Sequence, residues 1–142
     1  MQEQLQVKIK RVHPDAVIPT YAKAGDAGMD LTATERIDTE NFISYKTGLC
    51  FAIPEGYMGL IFPRISVSNT GLSLANSVGV VDAGYRDEVE LRFKISSQAK
   101  QYNAGDRVGQ IIIMPFPKVE FLDIAELPQE GNRGGGYGST GN

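Results

Sequence analysis

The chain offers few side chains for covalent chemistry. His13 is its only histidine and stands beside Pro14, and Cys50 is its only cysteine, inside the apolar run Leu49-Cys50-Phe51-Ala52-Ile53. A Ser/His/Asp or Cys/His nucleophilic set is not expected around a lone histidine in an N-terminal loop, a Cys/His zinc quartet is impossible, and an internal disulfide is excluded. His13 reads as a surface residue and Cys50 as a buried, inert thiol. There is no GxxxxGK[ST] phosphate loop, and any metal must be held by oxygen ligands. What remains are polar groups set into strand ends and turns. Asp30 follows Ala27-Gly28-Met29 where a strand begins, and Asp82 closes the run Val78-Gly79-Val80-Val81. A carboxylate at a strand end is commonly a turn cap, yet Asp82 is followed by Tyr85 and Arg86, and an acid, an aromatic and a cation exceed what a turn requires. Gln110 is an amide opening an otherwise apolar run; alone it reads as an outward-facing strand residue. The last ten residues, from Arg133 to Asn142, contain five glycines with an Arg, a Ser and a Thr. Such a segment is either a disordered tail or a flap whose backbone N–H groups close on a phosphate.

The elements that must position these groups are short. The 142 residues include 16 glycines and 7 prolines, which interrupt any long helix. Between them apolar residues alternate with polar ones: Leu5, Val7 and Ile9 at the start, and Val89, Leu91, Phe93 and Ile95 against Glu88, Glu90, Arg92 and Lys94. Period two predicts half-buried strands. Further strands are expected over 29–33, over 42–53 as one or two elements, over 57–62 and over 108–116. Pro54-Glu55-Gly56 predicts a hairpin joining LCFAI to YMGLIF, and residues 82–87 predict the wide tip of another. Residues 64–70 read as a loop or short helix, and Asn103-Ala104-Gly105-Asp106 as a turn. Regularly spaced short strands predict an all-β sandwich or barrel of one domain. With 14 basic and 17 acidic residues the net charge is −3, which argues against direct nucleic-acid binding. No apolar run of membrane-spanning length occurs, so a soluble, cytoplasmic protein without membrane contact is expected.

Five segments, in order, resemble the five motifs of the trimeric deoxyuridine triphosphatase (dUTPase) family: Ala27-Gly28-Met29-Asp30-Leu31, Pro63-Arg64-Ile65-Ser66, Gly79-Val80-Val81-Asp82-Ala83-Gly84-Tyr85-Arg86, Gly105-Asp106-Arg107-Val108-Gly109-Gln110, and the segment from Arg133 to Gly141. The resemblance runs from about residue 5 to the C-terminus. It implies a jelly-roll-like β-barrel over residues 1–132, a C-terminal flap over 133–142, and a homotrimer whose sites are built from more than one chain. It implies Mg²⁺-dependent hydrolysis of dUTP to dUMP and pyrophosphate, which keeps uracil out of DNA and supplies dUMP for thymidylate synthesis. Asp82 then resembles the base that activates water against the α-phosphorus, and Tyr85 the residue that packs under the deoxyribose. Asn76 and Gly79 match the uracil-binding segment, and Asp30 matches an acid that supports the metal through water. Arg64, Gln110 and Arg133 match phosphate contacts. Tyr137 stands where an aromatic stacks on uracil, with Gly138, and Ser139 and Thr140 match phosphate-contacting hydroxyls.

The chain departs from the family pattern where Ile65 replaces the usual serine of the second motif and Ser66 the glycine. Either a hydroxyl is lost there, or Ser66 turns into the same space. Asp87 replaces a glycine after the third motif, and the tail is one residue short. Two other readings compete: a dCTP deaminase-related enzyme, and a non-catalytic nucleotide-sensing or interaction protein on the same fold.

Overall fold

The computed structural model describes residues 4–137. Among them are ten strands: β1 (Lys8–Arg11), β2 (Met29–Thr32), β3 (Glu35–Asp38), β4 (Phe42–Lys46), β5 (Leu49–Ala52), β6 (Tyr57–Phe62), β7 (Leu72–Leu74), β8 (Gly79–Val81), β9 (Glu90–Ile95) and β10 (Arg107–Pro115). One 3₁₀ turn, Ile65–Asn69, follows β6. All pairings are antiparallel. Two four-stranded sheets, ordered β2-β10-β6-β8 and β3-β4-β9-β7, are accompanied by the ribbon β1-β5. The arrangement is all-β and jelly-roll-like, as expected.

The alternation read in β9 holds: Leu91 and Phe93 are buried while Glu90, Arg92 and Lys94 face outward. The core between the sheets gathers Leu31, Ile61, Val81, Val108 and Ile111 from one side and Ile43, Tyr45, Leu72, Leu74, Leu91 and Phe93 from the other. Each such side chain contributes roughly 1.5–3 kcal/mol by leaving water. Tyr45, Phe93 and Tyr102 meet edge to face, with centroids 5.6 to 6.1 Å apart. Gly109 lets β10 lie close against Leu91 of the opposite sheet, since a Cβ there would overlap that side chain and lie 3.0 Å from the Phe62 carbonyl oxygen of neighbouring β6.

Two expected hairpins are absent. The Pro54–Gly56 turn forms, with Tyr57 N–H donating to Pro54 O at 3.2 Å, but β5 pairs with β1 whereas β6 pairs with β10 and β8. Likewise β8 joins β6 and β9 joins β4 and β7, so the loop at 82–87 crosses between sheets. Strand β3, which the sequence reading did not anticipate, carries one apolar residue and is held by its register against β4. Cys50 is half-buried on the outer face of β5, not enclosed. His13 lies 3.4 Å from Glu35 at the surface edge.

Candidate functional site

The first cluster grows from the end of one sheet. Antiparallel pairing sets Gln110 of β10 directly opposite Asp30 of β2 on one flank and Phe62 of β6 on the other. Phe62 is followed by Pro63 and Arg64, so the chain leaving β6 passes the same place. Arg64 Nε donates to Asp30 Oδ1 at 2.9 Å, and Arg107 Nη1 lies 3.6 Å from Asp30 Oδ2. Gln110 Nε2 donates to Pro63 O at 3.0 Å. Gly28 is required here by space: a Cβ at this position would overlap Gln110 Oε1 and lie 3.3 Å from its Cδ. Two guanidinium groups and an amide thus surround one carboxylate at a half-exposed sheet end, an arrangement able to bind a polyanion whose charge exceeds that of Asp30.

Past Arg64 the chain enters the 3₁₀ turn. Ile65 projects into solvent, 92% exposed, and offers no donor. Ser66 is half-buried, and its Oγ lies 2.8 Å from the Tyr102 hydroxyl.

A second group of candidate residues flanks β8 at its two ends. Gly79, Val80 and Val81 pair with Ile61, Leu60 and Gly59 of β6, which in turn face Ile111, Ile112 and Ile113 of β10. The rung carrying Val81 is three residues removed from the rung carrying Gln110, about 10 Å at roughly 3.3 Å per residue, and Asp82 lies one residue beyond it. Asp82 is exposed, and Tyr85 N–H donates to its carbonyl at 3.0 Å, closing a tight turn. Arg86 Nη1 donates to Ala83 O inside the same loop, and the Tyr85 hydroxyl is 3.5 Å from Glu88 O. Upstream, the link between β7 and β8 bends sharply at Ser77, which has φ +63°, with Val78 N–H donating to Asn76 O at 2.6 Å. A three-residue turn with positive φ at a non-glycine residue is strained, and it presents Asn76 and its neighbouring peptide groups to solvent. Gly79 keeps this turn close to β6, since a Cβ there would lie 3.2 Å from that of Ile61.

Asp82 and the Asp30, Arg64 and Gln110 cluster lie toward opposite ends of the sheet, whereas the Asn76–Ser77 turn, which precedes Gly79 on the rung of Ile61 and Ile111, lies toward the Gln110 end, so a single chain does not bring Asp82 to Asp30, Arg64 and Gln110. Arg133 and Tyr137 are exposed on the C-terminal segment, and Gly134 N–H donates to Asn132 Oδ1 at 2.9 Å. Gly138, Ser139 and Thr140 lie outside the described residues. Among the described residues no three His, Cys, Asp or Glu side chains converge in a metal-binding group. The sequence reading gave no role to Arg107, Gly28, Ser77 or Tyr102. Only Arg107 carried a signal, as a cation three residues before Gln110.

Comparison with known proteins follows the same pattern. A family model described as dUTPase matches residues 14–141. The deoxyuridine 5'-triphosphate nucleotidohydrolase of Streptomyces avermitilis is 36% identical, over 96% of this chain and 81% of its own. That of Solibacter usitatus is also 36% identical, over 96% of this chain and 97% of its own. Among solved structures, a point mutant of the dUTPase of phage phi11 of S. aureus, whose structure details the coordination of a structural Mg(II) ion, superposes with a TM-score of 0.73 at 25% identity, covering 86% of this chain and 98% of that one. A Staphylococcus bacteriophage 80alpha dUTPase mutant with dUpNHpp reaches 0.81 at 24% identity, covering 98% of this chain and all of that one, and attests the fold.

Proposed function

Since this chain belongs to the dUTPase family, we propose that it hydrolyses dUTP to dUMP and pyrophosphate at sites assembled from more than one copy of itself. The observation that carries this reading is the separation along β10: Asp82 stands on one end of the sheet and the Asp30, Arg64 and Gln110 cluster on the other. Neither end suffices for phosphoryl transfer, which needs charge neutralisation and an oriented water together. A second copy supplying the missing end satisfies both, and a homotrimer follows the family pattern.

Two exposed apolar features support assembly. The outer face of the β2-β10-β6-β8 sheet carries exposed Val80 and Met114 beside half-buried Met58, Leu60 and Ile112, and the segment after β10 exposes Phe121 and Leu122, 93% and 77% accessible. Apolar surface of this extent is covered in a stable soluble protein. The relatives matched along the chain, which are dUTP nucleotidohydrolases, favour a hydrolase over the dCTP deaminase-related alternative.

Asp82 takes the proton of a water whose oxygen forms a bond to the α-phosphorus, while the bond from that phosphorus to the bridging oxygen breaks and pyrophosphate leaves. Arg64, Gln110 and Arg133 bind phosphate oxygens, and Arg107 strengthens the same positive end. Ser66 is the hydroxyl of the second motif. The strained turn at Ser77, with Asn76 and Gly79, receives uracil through peptide groups. Tyr85 fills the space a 2′-hydroxyl would need, and Tyr137 stacks on the base as residues 133–142 close as a flap. Those ten residues contain Gly138, assigned to the substrate beside Tyr137, and Ser139 and Thr140, assigned to phosphate contact.

The residues present fit Mg²⁺ carried by the triphosphate, since this ion keeps several waters and is held by few carboxylates. Asp30, flanked by Arg64 and Arg107, is the residue that would hold the ion, through bound water. When bound, the ion neutralises phosphate charge. A nucleoside triphosphate substrate supports a cytoplasmic location, and among the described residues no helix is long and apolar enough to cross a membrane.

Pyrophosphate release from dUTP, dTTP, dCTP and UTP, each with Mg²⁺ and with chelator, tests the proposal. Release from dUTP alone, abolished by chelator, is expected. Equal rates on UTP remove the role given to Tyr85, and tight dUTP binding without release favours a nucleotide sensor.

A further inference from the structure

Tyr102 is fixed at both ends. Its ring is buried against Tyr45 and Phe93, and its carbonyl accepts from the Tyr45 hydroxyl at 2.8 Å and from Arg36 Nη1 at 2.9 Å. Its hydroxyl emerges from this aromatic group and meets Ser66 Oγ at 2.8 Å, two residues after Arg64. The 3₁₀ turn bearing Ser66 has no side-chain cap at Arg64; Val67 N–H donates to Arg64 O at 3.0 Å, and Val67 packs on the core. The Tyr102–Ser66 hydrogen bond is the polar counterpart of that apolar contact.

A hydroxyl has one proton and two lone pairs. When a phenol meets an alkyl alcohol, the phenol is the stronger acid and the better donor, so the favoured direction runs from Tyr102 to Ser66. Ser66 then keeps its own proton for another acceptor, and donation into its oxygen strengthens that proton as a donor.

Resting on the proposed dUTP hydrolysis, we propose that Tyr102 is a positioning residue which aims the Ser66 proton at the leaving phosphate oxygen, replacing the donor that Ile65 cannot supply. Tyr102 touches no substrate in this account. It acts through Ser66, and by tying the turn to the core it also steadies Arg64 against Asp30.

The test measures kcat and KM for dUTP, with the Tm and subunit number, for the wild type, Tyr102→Phe, Ser66→Ala, Ser66→Thr and the Tyr102→Phe/Ser66→Ala double variant. Wild-type release of pyrophosphate comes first; its absence refutes the activity reading whatever the variants do. Ser66→Ala is expected to lower kcat about 10- to 150-fold, the loss of a hydrogen bond to a charged group. Tyr102→Phe is expected to lower kcat roughly 3- to 10-fold with KM changed by less than about twofold, a split that general loosening would not produce. The double variant is expected to match Ser66→Ala, because Tyr102 has nothing left to position. Ser66→Thr keeps the hydroxyl and is expected to retain most turnover. Wild-type kcat in Tyr102→Phe, a double variant whose loss is the product of the two single losses, or a Ser66→Thr as impaired as Ser66→Ala would overturn the inference.

Discussion

Gly28→Ala isolates the contribution of Gln110 without touching Gln110 itself. The backbone of Gly28 lies outside the left-handed region, so alanine fits its conformation, but the new methyl group would overlap Gln110 Oε1 and lie 3.3 Å from Cδ. The atoms it meets are the end of a flexible side chain, which swings away and gives up the hydrogen bond from Gln110 Nε2 to Pro63 O, now 3.0 Å. Losing that bond costs about 0.5–1.5 kcal/mol. Removing a glycine from the unfolded chain returns about 0.4–1 kcal/mol. The two nearly cancel, so the Tm is expected to stay within about 5 °C. Function does not share this cancellation. A displaced amide forfeits a hydrogen bond to charged phosphate, about 1.5–3 kcal/mol, or roughly 10- to 150-fold in kcat/KM. Thermal melting and pyrophosphate release on the same preparation separate the two effects. Unchanged kcat/KM in Gly28→Ala beside a strongly impaired Gln110→Ala would refute the close approach of the two residues. Unchanged values in both would remove Gln110 from phosphate binding, and a loss above about 3 kcal/mol in stability would show that Gln110 cannot move aside.

Asp82→Asn should preserve the Tm and the affinity for a non-hydrolysable dUTP analogue while lowering kcat by about 10²–10⁴-fold, since an amide cannot take the proton of water; near-normal turnover would place the base elsewhere. Gly71→Ala should cost roughly 1–3 kcal/mol in a denaturant melt, because its methyl group would overlap the Ser97 carbonyl oxygen, which is backbone, beside the 2.8 Å bond from Ser96 N–H to Gly71 O. Burial raises the phenol of Tyr45 above its ordinary value of 10, with the Arg36 guanidinium pulling the other way. Above about pH 10 the unfolded chain therefore holds fewer protons than the folded one, and stability, level below that pH on this account, falls as pH rises. Alkaline melts should show this loss, and Tyr45→Phe should reduce it; an identical alkaline slope in the variant would refute the assignment.

The parts of this protein that local chemistry dictates were legible in its sequence, and the parts set by long-range pairing were not. The alternation of Leu91 and Phe93 with charged residues reports a half-buried strand whatever it pairs with. Asn103 to Asp106 reports a turn, because Gly105 takes φ +94° and Asp106 Oδ2 accepts from Asn103 N–H at 2.7 Å, all within four residues. Pro54-Glu55-Gly56 equally reports a reversal, but nothing in those residues tells whether the strands it joins pair with each other; β6 pairs instead with β10 and β8. β3 has only Ile37 as an apolar residue, and its place depends on β4 and on the Arg36 bonds to Asp38, Gln101 and the Tyr102 carbonyl. Asp30 was visible as a carboxylate where a strand begins and Gln110 as an amide opening an apolar run, while Arg64 was visible through the resemblance of its motif. Their convergence is a property of register between strands far apart in the chain, and the Ser66–Tyr102 contact spans 36 residues with no local signature.

The central claim, that hydrolysis occurs where Asp82 of one copy meets the Arg64 cluster of another, is tested most directly by mixing two inactive variants. Asp82→Asn and Arg64→Ala chains are denatured together in equal amounts, refolded, and assayed for pyrophosphate release from dUTP. If sites are shared, random association gives roughly a quarter of them an intact Asp82 from one chain and an intact Arg64 from the other, and about that fraction of wild-type activity returns. If each chain holds its own complete site, every site carries one lesion, and the mixture stays no more active than the two variants assayed apart.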